Sequence, residues 1–436
     1  MNRKSTHTIS PLKLSDRIAY LDILRGIAIL FIFLANIPHL SGTAYYSEKL
    51  NQSFATAPLD ALLKLVFFTF IDGKFYSVFS ILFGIGFAVQ YANVKKLHKR
   101  FSTFFGRRML GLLLIGLIHL FLIWVGDILT LYALLGFMLI WFQKFSDRKL
   151  LIWAATLIMM PVVNWIFMHF TGWYYPNYFF DAFNAYNESR GMPLSDWDGS
   201  GFLSPDPADY LALTDFSHYM EITIGNPLIR LALILWEGRL FKVLGLFLLG
   251  IWAGRQILHH NLLDKQKLLR KIAFWGLAIG LPFNILRAVI AFGDFSGPTY
   301  EFLSTLFYSL GVVPLACAYA SLVAIIVVGK HHALSWFAPV GRTALSNYLF
   351  QSVICIALFY GIGMGYTSKL SFTEVVLIAL TVFAWQVAFS TIWLRHFRFG
   401  PVEWIWRQMT YGEWINLRNP LLGSTTNQLH VNQANQ

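Results

Sequence analysis

One histidine, His119, interrupts a long apolar run that starts at Arg107-Arg108 and ends at Gly126-Asp127. A neutral imidazole takes up a proton near physiological pH, so His119 can serve as a general base or briefly carry an acyl group. At ~1.5 Å per residue it stands ~16 Å along a helix from Arg108, about half of a ~30 Å hydrocarbon core. Eleven residues is close to three turns, so the two side chains share a face. An ionisable group at that depth is read first as functional; the plain alternative is a buried histidine bonded to a neighbouring helix. Asp127, eight residues on, orients His119 only if the Gly126 turn folds inward, and otherwise caps a helix. Trp124, just before that turn, is expected on the cavity side.

A second constellation lies in the first apolar run. Asp22 and Arg25 stand at i and i+3 and can pair on one helix. Asn36 is eleven residues above Arg25, so one face carries a charge low and an amide high. That suits an anionic donor with its carbonyl polarised by Asn36, and equally a charge pair anchoring a helix end. Arg107, Arg108 and Arg342 can hold phosphates in multidentate contacts, or simply meet anionic lipid heads. Asn347 and Gln351, one turn apart, either line a cavity or hydrogen-bond between helices. Glu237 and Arg239, with Asp72 and Lys74, mark an outer mouth, where they meet an acceptor or each other. His39 follows Pro38 at the outer end of the first run, where exposure is cheap. His331-His332 fall in a loop and are expected to be solvated. No metal-ligand spacing, phosphate-binding loop or dinucleotide fingerprint occurs, so no metal is expected.

These residues need helices across a membrane to position them. Of 436 residues, 56% are hydrophobic and 13% charged, with a mean hydropathy of +0.56. Soluble domains carry roughly 25% charge. The expected fold is an all-α polytopic membrane protein of about ten transmembrane helices, near 18–40, 75–91, 109–125, 128–142, 150–170, 240–258, 272–292, 302–328, 343–362 and 374–394. Bases gather on one side of such a chain (Arg3, Lys4, Lys13 and Arg17, then Lys99, Arg107, Arg108, Arg270, Lys330, Arg342 and Arg398). Acids gather on the other (Asp181, Asp196, Asp198, Asp206, Asp215, Glu221, Asp294). The positive-inside rule then puts both termini in the cytoplasm. The net charge of +12 reads as topology, not nucleic-acid affinity. Cys317 and Cys355 lie in apolar runs and read as small hydrophobes.

The expected organisation is a membrane half of five spans over 1–170, an extracytoplasmic loop over 171–229, a second half over 230–412 and a disordered tail over 413–436. The loop is rich in aromatics, which either cap a cavity or form an interfacial belt. A parallel internal repeat is expected at an offset near 165: Asp72-Gly73-Lys74 matches Glu237-Gly238-Arg239, and Arg107-Arg108 matches Arg270-Lys271.

Several motifs resemble the bacterial YeiB family, whose C-terminal half is a domain of unknown function. They are Leu21-Asp22-Ile23-Leu24-Arg25-Gly26, then Asn36-Ile37-Pro38, and Phe79-Ser80-Ile81-Leu82-Phe83-Gly84. The run from Arg107 through His119 to Asp127, Gly341-Arg342-Thr343-Ala344-Leu345-Ser346-Asn347-Tyr348 and Gly400-Pro401-Val402-Glu403-Trp404-Ile405-Trp406-Arg407 complete the set. The family is grouped with transmembrane acyltransferases such as the lysosomal heparan-α-glucosaminide N-acetyltransferase. The resemblance implies transfer of an acyl group, acetyl among the candidates, from cytosolic acyl-CoA to an acceptor on the far side. On that expectation His119, Asp127 and Asn36 are catalytic, while Asp22, Arg25, Arg107, Arg108 and Arg342 hold the acyl-CoA co-substrate. The implied partners are membrane lipids and a small-molecule or glycan acceptor, without nucleic acid, in the inner cell membrane. A homodimer is left open. The rival reading is a transporter of an organic anion or lipid precursor.

Overall fold

The computed structural model describes residues 19–96, 100–192, 194–195, 204–205, 207–329 and 334–419. Arg3, Lys4, Lys13, Arg17, Lys99, Asp196, Asp198, Asp206, Lys330, His331, His332 and the tail beyond residue 419 lie outside them.

A chain inside lipid must satisfy its backbone internally, and this one does so with helices. The first six are α1 (Ala19–Ser41), α2 (Glu48–Ser53), α3 (Ala57–Phe70), α4 (Lys74–Lys96), α5 (Phe101–Leu122) and α6 (Leu129–Phe142). The next are α7 (Asp147–Thr171), α8 (Asn177–Ser189), α9 (Pro207–Ala212), α10 (Phe216–Thr223) and α11 (Asn226–Trp236). Then come α12 (Arg239–His260), α13 (Gln266–Phe292), α14 (Pro298–Gly329) and α15 (Ala338–Arg342). The last are α16 (Ala344–Phe359), α17 (Phe372–His396) and α18 (Pro401–Tyr411). Two strands of two residues, Leu194–Ser195 and Ser204–Pro205, pair antiparallel.

Among the described residues, 8 helical stretches are long and apolar enough to cross a membrane. The protein is therefore an all-α, multi-pass membrane protein. The expected fourth and ninth spans are α6 and α16, of 14 and 16 residues. At ~1.5 Å per residue these are ~21 and ~24 Å long, short of a full hydrocarbon core. Side-chain placement follows the same logic. Leu110, Leu114, Ile118 and Leu122 form an exposed stripe at four-residue spacing along α5, facing lipid. Phe105, Met109, Leu112 and His119 turn inward.

The loop expected over 171–229 folds into α8, the strand pair, α9 and α10. Asp215 caps α10 by accepting from the Ser217 and His218 amides, and α8 packs on α11. Residues 413–419, part of the stretch expected to be disordered, are ordered. The Ile415 carbonyl accepts from the Trp404 indole, and Phe397 bridges to Arg418.

The helix order repeats. Long helix, short helix, long helix and hairpin occur as α1, α3, α4, α5, α6 and again as α7, α11, α12, α13, α14. The second unit thus opens with α7, upstream of the boundary expected at residue 170. Gly73 and Gly238, at φ 80° and 59°, stand at equivalent helix starts. The contacts are reciprocal too: α3 touches α13, and α11 touches α5. At the centre α4 and α12 meet backbone to backbone. A Cβ on Gly250 would strike the Ile81 carbonyl and the Gly84 Cα; one on Gly84 would strike the Phe247 carbonyl. Gly250→Leu is therefore expected to destabilise the bundle by about 1–3 kcal/mol or more through overpacking. Gly106→Ala, with nothing within 4 Å of its Cβ, should be silent. Thermal unfolding in detergent compares them.

Candidate functional site

A cavity of about 1260 Å³ runs through the bundle. Ordinary ligand pockets hold ~300–1,000 Å³. Arg25, Ile29, Ile32, Asn36 and His39 line it from α1, at alternating spacings of four and three. That is one helix face, and Arg25 to His39 covers ~21 Å along the axis. Tyr76, Phe79, Phe83, Gly86 and Gln90 form the matching stripe on α4. Phe83 stacks on Phe247 at 4.5 Å, so the waist is aromatic and apolar.

One end is basic. Arg25, Arg108, Arg342, Arg398 and Arg407 line it, against the carboxylates of Asp22 and Glu403. Arg25 donates to Asp22 Oδ1 at 2.8 Å. The Arg108 guanidinium lies over the Trp406 ring at 3.6 Å, and the Trp406 indole donates to the Arg108 carbonyl at 2.7 Å. Glu403 caps the start of α16: its Oε1 accepts from the Leu345 and Ser346 amides at 2.7 and 3.1 Å. Burial outweighs these donors and holds its carboxyl above the usual range. Gly341 packs directly on the Asp22 carbonyl, too close for any side chain. Motifs more than 300 residues apart in the chain thus assemble one end of the cavity.

The other end is mixed in charge and roofed by the folded loop, which contributes Phe180, Phe183 and Tyr210. The expectation that the loop's aromatics reach a cavity corresponds to these contacts. His39 opens onto the cavity here, with Nδ1 3.0 Å from the Tyr45 hydroxyl. Asn36 lies one turn below it. Glu237 pairs with Arg239 at 2.5 Å, and Trp124 completes the wall.

His119 is not part of that wall. The sequence suggests a span continuing to residue 125, but the Ile123 and Trp124 amides both donate to the His119 carbonyl, at 3.0 and 2.8 Å, and end α5. His119 therefore sits in the last helical turn, fully buried. The chain then folds inward, as contact with Asp127 requires. Nδ1 of His119 lies 3.0 Å from Asp127 Oδ1, and Nε2 lies 3.0 Å from Ser352 Oγ on α16. Asp127 also caps α6, accepting from the Leu129 and Thr130 amides at 3.1 and 2.8 Å. With the carboxylate ionised, Nδ1 carries the proton and the Ser352 hydroxyl donates to Nε2. Both ring nitrogens are thus engaged. The rings of Tyr348 and Trp124, 5.2 and 6.3 Å from the imidazole, stand between it and the cavity.

Of the other expected residues, Asp22, Arg25, Asn36, His39, Arg108, Trp124, Glu237, Arg239 and Arg342 line the cavity. Arg107 does not; its guanidinium lies against Gly412. Asn347 and Gln351 turn toward α17. Asn347 donates to Ser390 Oγ at 3.1 Å and Gln351 to Gln386 Oε1 at 2.9 Å, so both join helices. Sequence reasoning passed over Arg398, Arg407, Tyr348 and Ser352. Tyr348 and Arg407 each sit inside a quoted motif, which is the signal that could have found them. Nothing local marks Ser352.

Residues 253–413 match the family model described as a protein of unknown function (DUF418). The chain is 33% identical over 425 residues to the uncharacterized protein YxaH of Bacillus subtilis, covering 93% of this chain and 97% of that one. It is 30% identical over 423 residues to the uncharacterized protein YeiB of Escherichia coli, covering 91% and 96%. No solved structure matches it. Two relatives at this level, aligned over nearly their full length, mean that the chain belongs to the YeiB family.

Proposed function

We propose that this protein is a membrane acyltransferase. It takes an acyl group, acetyl being one candidate, from acyl-CoA on the basic side and passes it to an acceptor that enters from the opposite side. On this reading it sits in the inner cell membrane with its basic side in the cytoplasm. The observation that carries the reading is the cavity: one space with five arginines at one end and an imidazole over an amide at the other. Arginine suits the phosphates of the donor. The aromatic waist suits an apolar arm and excludes water from the thioester.

The transfer follows from the residues that face the space. With Nδ1–H donating to Tyr45, His39 keeps the Nε2 lone pair to accept a proton from the acceptor hydroxyl or amine. The acceptor's oxygen or nitrogen bonds to the acyl carbon as the carbon–sulfur bond breaks. The Asn36 amide donates to the carbonyl oxygen as it gains charge. The proton passes from His39 to the departing thiolate. His119, buried and saturated, holds α5, α6 and α16 together beside this space.

The experiment is acyl-CoA supplied to the basic face of proteoliposomes, with acylated product sought on the other face. Movement of an organic anion without donor would instead support the transporter reading, which the parallel repeat also accommodates. Arg108→Gln is expected to raise KM for acyl-CoA about tenfold with kcat little changed, since a grip on phosphate that is equal in the ground and transition states governs binding alone. An unchanged KM would remove Arg108 from the donor site.

A further inference from the structure

The proposed transfer gives no role to the cavity cation Arg230. Arg230, on α11, is 8% exposed and lines the outer half of the cavity. Its Nε is buried without a partner, and among the described residues its side chain makes no hydrogen bond or ion pair. The charged and ionisable groups facing it are Arg239, Asp127, Glu237, Tyr348 and His39. Neither carboxylate is available: Glu237 holds Arg239, and Asp127 holds His119 and two amides. Asp72, also on the cavity wall, is taken by Arg287 at 2.9 Å. Tyr348 also lines the cavity, and its buried hydroxyl donates to no acceptor. A guanidinium stays charged in any protein, and a buried charge without a counter-ion is strongly unfavourable. A ligand that brings the missing negative charge removes that penalty.

We infer that Arg230 and the Tyr348 hydroxyl form an anion-binding subsite, so that the acceptor carries a phosphate or carboxylate group. The planar fork of the guanidinium suits two oxygens of such a group, and the phenol supplies one more donor. The inference deepens the acyl-transfer reading and rests on it for the ligand's role as acceptor. The ligand's charge is read from the cavity alone.

The test uses the full chain in nanodiscs of neutral lipid, with phenyl phosphate and benzoate as probes and benzyl alcohol as the neutral control. At least one anionic probe is expected to bind, with the alcohol weaker by about tenfold or more. Arg230→Gln should weaken that probe by about tenfold, and Arg230→Lys by less. Tyr348→Phe, which removes one oxygen, keeps the test alive if the arginine variants do not fold, and should weaken binding about threefold. Equal binding of anionic and neutral probes, or unchanged affinity in Arg230→Gln, overturns the inference. A further arm adds anionic lipid. Displacement of the probe identifies a lipid headgroup as the ligand, and retention a water-borne acid; either outcome supports an anion site. Anion binding without acyl-CoA turnover would sink the transfer reading and leave the subsite standing. Turnover with no anion preference would do the reverse.

Discussion

His39→Gln is expected to lower acyl transfer by about 10²–10⁴-fold, the range a positioned general base contributes. Affinity for acyl-CoA at the arginine end should stay within about twofold, because that end is separated from residue 39 by ~21 Å of helix. Glutamine keeps a polar head that can bond Tyr45 but cannot accept the acceptor's proton. The split between a reduced kcat and a retained donor affinity marks a group that acts in the transition state. Tyr45→Phe should have a smaller effect, about tenfold, since it only removes the hydroxyl that holds Nδ1 and lets the imidazole rotate. Thioester turnover and acceptor acylation measure both variants. Full turnover in His39→Gln would remove the imidazole from the reaction and with it the assignment of the outer end as the site of transfer.

The helices were largely legible because hydropathy and the positive-inside rule act over whole segments. Ten spans follow from runs of apolar residues, and even the short α6 and α16 lie within two residues of their expected starts. The loop was less legible. Its aromatics read as a cavity cap or a belt; the Asp215 cap is local, but the packing of α8 on α11 is set by partners the local sequence does not display. The site was legible in its composition but not in its facing. Arg25, Asn36 and His39 share one face of α1 at the α-helical pitch of ~3.6 residues per turn, so their joint placement follows from spacing. Whether α16 turns Asn347 or Tyr348 toward the cavity depends on its rotation against α17, fixed by the contacts of Asn347 and Gln351 with Ser390 and Gln386. His119 shows the same limit. Its depth can be counted along a helix, but its direction depends on Ser352, 233 residues away, and on where α5 stops.

That buried cluster yields the second large effect, one of stability. His119→Ala would leave the Asp127 carboxylate without its imidazole partner and the Ser352 hydroxyl without an acceptor, both at most 1% exposed. Removing a neutral donor from a buried carboxylate costs about 1.5–3 kcal/mol, the range for a hydrogen bond to a charged group. The two amide donors that remain on Asp127 place this case toward the lower end. Ser352→Ala should cost only about 1 kcal/mol, because His119 keeps Asp127. Asp127→Asn also removes the charge, so the double variant with His119→Ala should be less destabilised than the sum of the two single ones. Unfolding midpoints in detergent measure these changes, with acyl-CoA turnover followed in parallel. The serine, histidine and aspartate have the order of a nucleophilic triad, so the parallel readout decides between two roles. A clamp predicts that Ser352→Ala keeps turnover while His119→Ala loses folded protein. Turnover abolished in a fully stable Ser352→Ala would make the serine the nucleophile, and would require Tyr348 and Trp124 to move aside and admit the acyl group.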